Sequence, residues 1–296
     1  MCMNEHNDTL ENWTEIRTAY HVARLGTLSA AAEYIGIHHA TVIRHIDALE
    51  ERLDSKLFHR TPRGYVSTEA GRDLMLVAAT TEDQFTQLAG RLKGRSASVS
   101  GDLIVTTLSE LSPQITPLLV EFQRQYPEVR ISLIADERRL KLEYGEAHIA
   151  LRAGTKPQEP DNVVQPLCQM SVALFAHKDY VKKYGMLAGE DDAPHHKFVA
   201  NHSNNSGAPF QKWIKQHAPD EAVVFRSNEG RTLVDAVISG AGIGFLDRKS
   251  GDANPDLIQM AVGRPDWDTE LWIVTHIDLH RTAKVQALAN FLKENF

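Results

Sequence analysis

Along the first hundred residues the apolar positions fall at helical spacing, with short interruptions. Trp13, Ile16, Tyr20 and Ala23 recur at steps of three and four, so residues 12–25 predict a helix that Gly26 stops. Ser29 then reads as the cap of a second, very short helix, "AAAEYI", ended by Gly36. A third helix is predicted over 39–53, where Val42, Ile46, Leu49 and Leu53 make one apolar stripe. Leu57-Phe58 follows as a core anchor, and Pro62-Arg63-Gly64 predicts a turn between two short extended pieces, a β-wing. From 67 to 93 a longer helix is predicted, because Leu74, Ala78, Thr81, Phe85, Leu88 and Leu92 form a heptad-like seam suited to pairing with another helix. The small polar run at 94–101 reads as a hinge.

Beyond it the pattern changes to β-branched runs alternating with amphipathic stretches. "LIVTT", "VRISLIA" and "HIALRAG" read as strands, with "SPQITPLLVEFQRQY" and "RRLKLEYGE" as helices between them. A second unit starts near Cys168, and "ELWIVTHID" with the last helix returns to the first. This predicts mostly parallel α/β sheets in a domain over 102–296, with lobe I at about 102–167 and 271–296 and lobe II at about 168–270.

Helix, short helix, glycine turn and longer helix is the helix-turn-helix order, in which the last helix enters the major groove by its N-terminal end. The reader spans 12–70. His38 and His39 stand where helix-start N–H groups favour a phosphate, Arg44 can reach O6 and N7 of guanine, and Ala40, Thr41 and Ile43 can meet thymine methyls. Ser29, His45, His59, Arg60 and Arg63 complete the candidate DNA-contacting set. A metal reading of His38, His39 and His45 has no acidic or thiol partner at ligand spacing. Between 12 and 70 seven Lys/Arg meet seven Asp/Glu, so the segment is formally neutral. His21, His38, His39, His45 and His59 can add charge on protonation, and operator affinity is expected to rise from about pH 8 to about pH 6.

These stretches, "HHATVIRHIDALE" and "KLFHRTPRGYVSTEAG" above all, resemble the LysR-type transcriptional regulators over nearly the whole chain. The family often has Ser or Asn-Gln at the His38-His39 position and Ser at the Ile43 position, so the operator sequence is left open. The resemblance implies an α/β multidomain protein: a winged helix-turn-helix, a dimerising linker helix and a two-lobed effector domain built like periplasmic solute-binding proteins. It implies double-stranded operator DNA, a small-molecule effector and self-association into a dimer and tetramer as partners. Strand ends and helix starts facing the cleft make Thr107, Ser109, Asn201, His202 and Ser203 the candidate effector contacts, with Asp136 and Arg152 beside them. Glu110, Asp136 and Glu137 would repel an anion there and Arg138, Arg139 and Arg152 attract one, so effector charge is open. Cys168 and Met170 near the lobe crossover raise a redox-responsive alternative.

The remaining features narrow the class. A net charge of -7 and pI near 6.1 exclude a uniformly basic coat protein and leave a local DNA-binding patch possible. The polar N-terminus has no secretory pattern and no segment approaches a membrane span, which places the protein in the cytoplasm with no membrane partner. Cys2 and Cys168 make no disulfide framework. "GAGIGF" follows a helix and reads as a close-packed turn, His195-His196 as a solvated loop, and no Walker loop occurs. No cofactor, metal or enzyme activity is expected. The alternative from another class is an α/β ligand-binding module or enzyme with an incidental helical N-terminus.

Overall fold

The computed structural model describes residues 12–61, 64–92, 99–136, 138–202, 208–261 and 263–296. Arg63, Glu137, Ser203 and most of the expected hinge lie outside the described residues. The chain divides into two compact units: residues up to 98 with 143–146, and 99–142 with 147–296.

In the first unit, α1 (Trp13–Leu25) starts where the Asn12 side chain accepts from the Thr14 amide, and ends at Gly26 in the left-handed region. The second helix, α2 (Leu28–Ile35), differs from the sequence expectation. Thr27, in an extended conformation, is the cap and accepts from the Ala30 amide at 3.2 Å, so Ser29 is an exposed residue inside the first turn. The recognition-type helix α3 (His39–Arg52) is capped by His38. Strands β1 (Phe58–Thr61) and β2 (Gly64–Ser67) pair antiparallel as the wing. Gly64, at φ +128°, lies so close to the Gly26 carbonyl that a Cβ would stand 2.5 Å from its oxygen. A long helix, α4 (Glu69–Leu92), follows. Ala19, Val22, Ala31, Val42, Ile46 and Leu49 form the core, each large one contributing about 1.5–3 kcal/mol by burial.

In the second unit, β3 (Gly101–Thr107), α5 (Ser112–Gln125), β4 (Val129–Ala135), β5 (Ile149–Ala153) and β6 (Asn162–Met170) build lobe I. Lobe II holds β7 (Val172–His177), α6 (Lys178–Tyr184), β8 (Phe198–Asn201), α7 (Pro209–His217), β9 (Val223–Ser227), α8 (Gly230–Ile238), β10 (Gly244–Asp247), α9 (Arg248–Ala253) and β11 (Leu257–Ala261). The chain returns through β12 (Thr269–His276), α10 (Ile277–His280) and α11 (Ala283–Asn295). The lobe I sheet runs β4-β3-β5-β12-β6, parallel among β3, β4 and β5.

Three expectations need correction here. The sheets are mixed: β12 is antiparallel to both β5 and β6, and β10 and β11 are antiparallel to β7, because strands carrying the chain into and out of lobe II run in opposite senses. Residues 168–170 and 269–270 belong to the lobe I sheet, where Met170 pairs with Thr269 and Cys168 with Leu271. "RRLKLEYGE" is no α-helix but a single tight turn at Leu142–Tyr144. The Asp136 side chain accepts from the Arg138 amide, a turn, and the buried Leu140 and Leu142 alternate at spacing two, which gives no helical face. Among the described residues no helix is long and apolar enough to cross a membrane.

Candidate functional site

The exposed side of α3 starts at its cap. His38 Nδ1 accepts from the Ala40 amide at 3.3 Å, so that nitrogen is unprotonated while it caps. His39, Ala40 and Arg44 are exposed, Thr41 is half-buried, and Ile43 packs partly against the core. His45 turns toward α1. Thr18 donates its hydroxyl proton to the Thr14 carbonyl, so His45 Nδ1–H donates to Thr18 Oγ1, 3.0 Å away. On the wing His59 and Arg60 are exposed, with Arg60 paired to Asp47 and lying over the Tyr65 ring.

Four cations of this unit are committed: Arg52 to Glu15, Lys56 to Glu50, Arg17 to Glu82 and Arg60 to Asp47. Arg44 has no ion pair or hydrogen bond among the described residues. His21, read from sequence as a titrating group near DNA, is fully buried. Burial holds its imidazole below the usual histidine range, against the opposing pull of Glu82. Of the five histidines, only His39 and His59 are exposed and unbonded among the described residues.

The α4 seam divides between two duties. Leu74 packs on the core of its own unit, Ala78 is buried, and the Phe85 ring meets Trp13 edge-on at 5.5 Å. Val77, Thr81 and Leu88 lie on the other flank of the same arc, with Val77 53% and Leu88 43% exposed. The Leu92 side chain lies outside the described residues. Sequence reasoning missed Glu82, which accepts from Arg17 Nε at 2.8 Å and from His21 Nε2 at 3.1 Å. Its signal was a carboxylate on the edge of an apolar arc.

In the second unit one segment of lobe I reaches two helix starts of lobe II. Thr107 ends β3, buried, its hydroxyl without a partner among the described residues. The Ser109 hydroxyl accepts from the Arg231 amide at 3.2 Å. The Glu110 carboxylate fills the space left by Gly230, where a Cβ would stand 2.2 Å from Oε2. Gln114 Nε2 donates to Asp247 Oδ2 at 2.9 Å and to Ser250 Oγ at 3.0 Å. Each helix start already holds a carboxylate: Glu229 accepts from the Arg231 and Thr232 amides, Asp247 from the Ser250 amide. Burial raises the Glu229 carboxyl, but hydrogen bonds from Ser109, Thr232 and Arg231 outweigh it and hold it below the usual range.

The other predicted cleft residues are less free. Asn201 ends β8, half-buried, with its amide 3.5 Å from Gln211 Oε1, and the amide of exposed His202 donates to the Ser227 carbonyl. Arg152 is bound to Glu159 and the Leu140 carbonyl. Asp136 is spent on its own turn. Gly230, Arg231 and Asp247 were missed because the strand-end rule was applied to β3 and β8 and not to β9 and β10, and Gln114 because the helix start after β3 was read only as far as Ser112. Gln114→Ala is expected to raise amide exchange at Ser250 about fivefold to thirtyfold, since one bond to a carboxylate and one to a hydroxyl, both near the surface, net about 1–2 kcal/mol. Unaltered exchange there means that Gln114 does not tie the lobes.

Residues 13–72 match the bacterial regulatory helix-turn-helix proteins of the lysR family, and 96–296 match the LysR substrate binding domain. The chain belongs to the LysR family of transcriptional regulators. It is 32% identical to an HTH-type transcriptional regulator of Xanthomonas campestris over 193 residues, 62% of this chain and 54% of that protein. An HTH-type transcriptional repressor of Pseudomonas aeruginosa is 24% identical, over 97% of this chain and 93% of that protein. Two full-length structures share the fold. One is an OxyR variant of Pseudomonas aeruginosa, at TM-score 0.70 and 18% identity over 95% of this chain and 94% of that one. The other is CrgA of Neisseria meningitidis, at TM-score 0.59 and 23% identity over 96% and 98%.

Within this LysR-family regulator, Cys168 is half-buried on β6, and burial first, then the Asp247 and Glu270 carboxylates, push its thiol up. Met170 is buried in the lobe I core. Neither setting favours a thiolate or an accessible thioether. The His195-His196 pair is not a solvated loop throughout: His196 is buried between the Tyr180 hydroxyl and Asp192. Among the described residues no group of three metal-ligating side chains occurs.

Proposed function

We propose that this LysR-family regulator reads a two-fold symmetric operator through α3 and changes that reading when a small effector enters between the lobes. What carries the reading is the exposed start of α3, where Arg44 is left uncommitted while its neighbouring cations are paired. Arg44 reads a base edge, Ala40, Thr41 and the exposed part of Ile43 meet bases, and His39, His59, Arg60 and Arg63 lie along the phosphates, with Ser29, His38 and His45 supporting them.

The α4 flank of exposed Val77 and Leu88 with half-buried Thr81 pairs with a second copy, and dimers join into a tetramer. The effector is held between Thr107 and Ser109 on one side and Asn201, His202 and Ser203 on the other, with Asp136 and Arg152 at the rim. It must break or bypass the Ser109–Arg231 and Gln114–Asp247 contacts, and that coupling lets ligand bias the lobes. The ligand is bound and not consumed, and the protein works where the DNA is, in the cytoplasm.

Selection of bound fragments from random DNA by the purified full chain at fixed salt tests this. Enrichment of paired, inverted half-sites is the expected result. Failure to enrich any sequence, with and without pooled small metabolites, overturns it.

A further inference from the structure

Beside the apolar contacts of Leu74, Ala78 and Phe85, two closer contacts bear on the direction in which α4 leaves the DNA-reading unit. At its start Gly71 lies against the backbone of Leu57, so close that a Cβ would stand 2.1 Å from the carbonyl oxygen. Eleven residues on, about 16 Å along the helix, Glu82 takes hydrogen bonds from Arg17 and His21 of α1. Apolar contacts can slide, so the directional hydrogen bonds at Glu82 add the constraint on tilt that packing alone lacks.

The second anchor is rigid for identifiable reasons. The His21 ring is fully buried, with the Tyr20 and Tyr34 rings at 4.9 and 4.6 Å between centroids. Its Nε2 must carry the proton to donate to the Glu82 carboxylate, and Nδ1 is buried without a partner among the described residues, so the ring is held neutral in one tautomer. Arg17 adds a charge-assisted bond from the partly exposed side. The same helix turn faces α3: Thr18, between Arg17 and His21 in sequence, receives the His45 N–H. The same turn of α1 therefore holds α3 through Thr18 and α4 through Arg17 and His21.

We propose that Glu82 is a positioning residue that sets the spacing between the two half-sites the dimer accepts, by clamping α4 to α1. This rests on the dimeric-reader function proposed above. If α4 pairs two copies, its angle to each reading unit sets the distance between recognition helices. A tilt about Gly71 that displaces α4 at Glu82 by about 3.4 Å, one base-pair rise, is roughly 12°. Tilts of that size are suppressed while Glu82 holds Arg17 and His21, and are admitted when it does not.

The experiment measures affinity of the full chain for its selected operator, for the same half-sites with the spacer changed by one and two base pairs either way, and for a single half-site. Wild type is expected to lose at least tenfold for each base pair of altered spacing. Glu82→Ala is expected to lose less than threefold, while single half-site affinity stays within twofold. Glu82→Gln keeps an acceptor oxygen and is expected to restore most of the discrimination, which a general loss of stability would not do. If Glu82→Ala is unfolded at the assay temperature, His21→Leu with Glu82→Met replaces the polar clamp by apolar contact and is expected to show the same relaxed spacing. A sharp wild-type optimum retained in Glu82→Ala, or in His21→Leu with Glu82→Met, overturns the assignment. A wild type that selects no paired half-sites overturns the dimeric-reader function itself.

Discussion

Glu50→Ala should lower the stability of the DNA-reading unit by about 3 kcal/mol, roughly a hundredfold in local opening. Glu50 lies in the last turn of α3, 4% exposed, and its Oε1 accepts from the Leu57 amide at 2.9 Å and the Phe58 amide at 3.2 Å. Lys56 Nζ donates to the other oxygen at 2.7 Å but is itself 74% exposed, so that pair adds about 1 kcal/mol at most. The larger loss comes from two buried amides left without an acceptor, each worth about 1–3 kcal/mol. Those amides open the wing, so the variant should also weaken DNA binding by freeing β1 from α3. Glu50→Gln keeps one acceptor and should cost about 1 kcal/mol.

The pH dependence has a definite sign. Burial raises the Glu50 carboxyl, yet the bonds from Lys56, Leu57 and Phe58 outweigh it and hold it below the usual range. A carboxyl depressed in the folded state stabilises fully above its unfolded pKa, near ~4.3, and that share is lost as pH falls through the folded value. Glu50→Gln should flatten the acid limb. Amide exchange at Leu57 and Phe58 measures both effects, and a change below about 1 kcal/mol in Glu50→Ala would show that the carboxylate does not hold the wing.

Elements whose apolar spacing is local were readable from the chain. Val42, Ile46 and Leu49 announced α3 and are all buried, and the wing followed from a core anchor and a turn. What failed was information that only tertiary packing supplies. Ser29 and Thr27 are chemically equivalent caps, and the extended backbone at Thr27 decided between them. A helical reading of "RRLKLEYGE" ignored that its buried leucines alternate. The α4 seam looked like one face, but half of it is used within the chain, which no periodicity reveals because both partners require the same spacing. Likewise His21 and His45 carry the same side chain as His39 and His59, and only burial and the Thr18 and Glu82 contacts separate structural rings from exposed ones.

Arg44→Ala should cost about 1–3 kcal/mol of operator affinity, five- to 150-fold, concentrated at a single base pair of each half-site. The argument turns on what competes for each cation. A guanidinium that already holds a carboxylate brings that negative charge to the DNA with it. Arg60, whose exposed pair with Asp47 costs little to open, suits a modest phosphate contact, and Arg52 stays with Glu15. Arg44 is exposed and has no such pair among the described residues to give up. It also sits in the first half of a helix whose N-terminal end enters the groove, where planar, two-pronged donation to guanine O6 and N7 is geometrically favoured. Fragment selection with the variant distinguishes the possibilities by pattern. Base readout predicts that preference at one position relaxes while the others persist and the salt dependence of binding barely changes. A uniform loss across all sequences, with the slope of log affinity against log salt reduced by about one, assigns Arg44 to a phosphate and moves sequence reading to Ala40, Thr41 and Ile43.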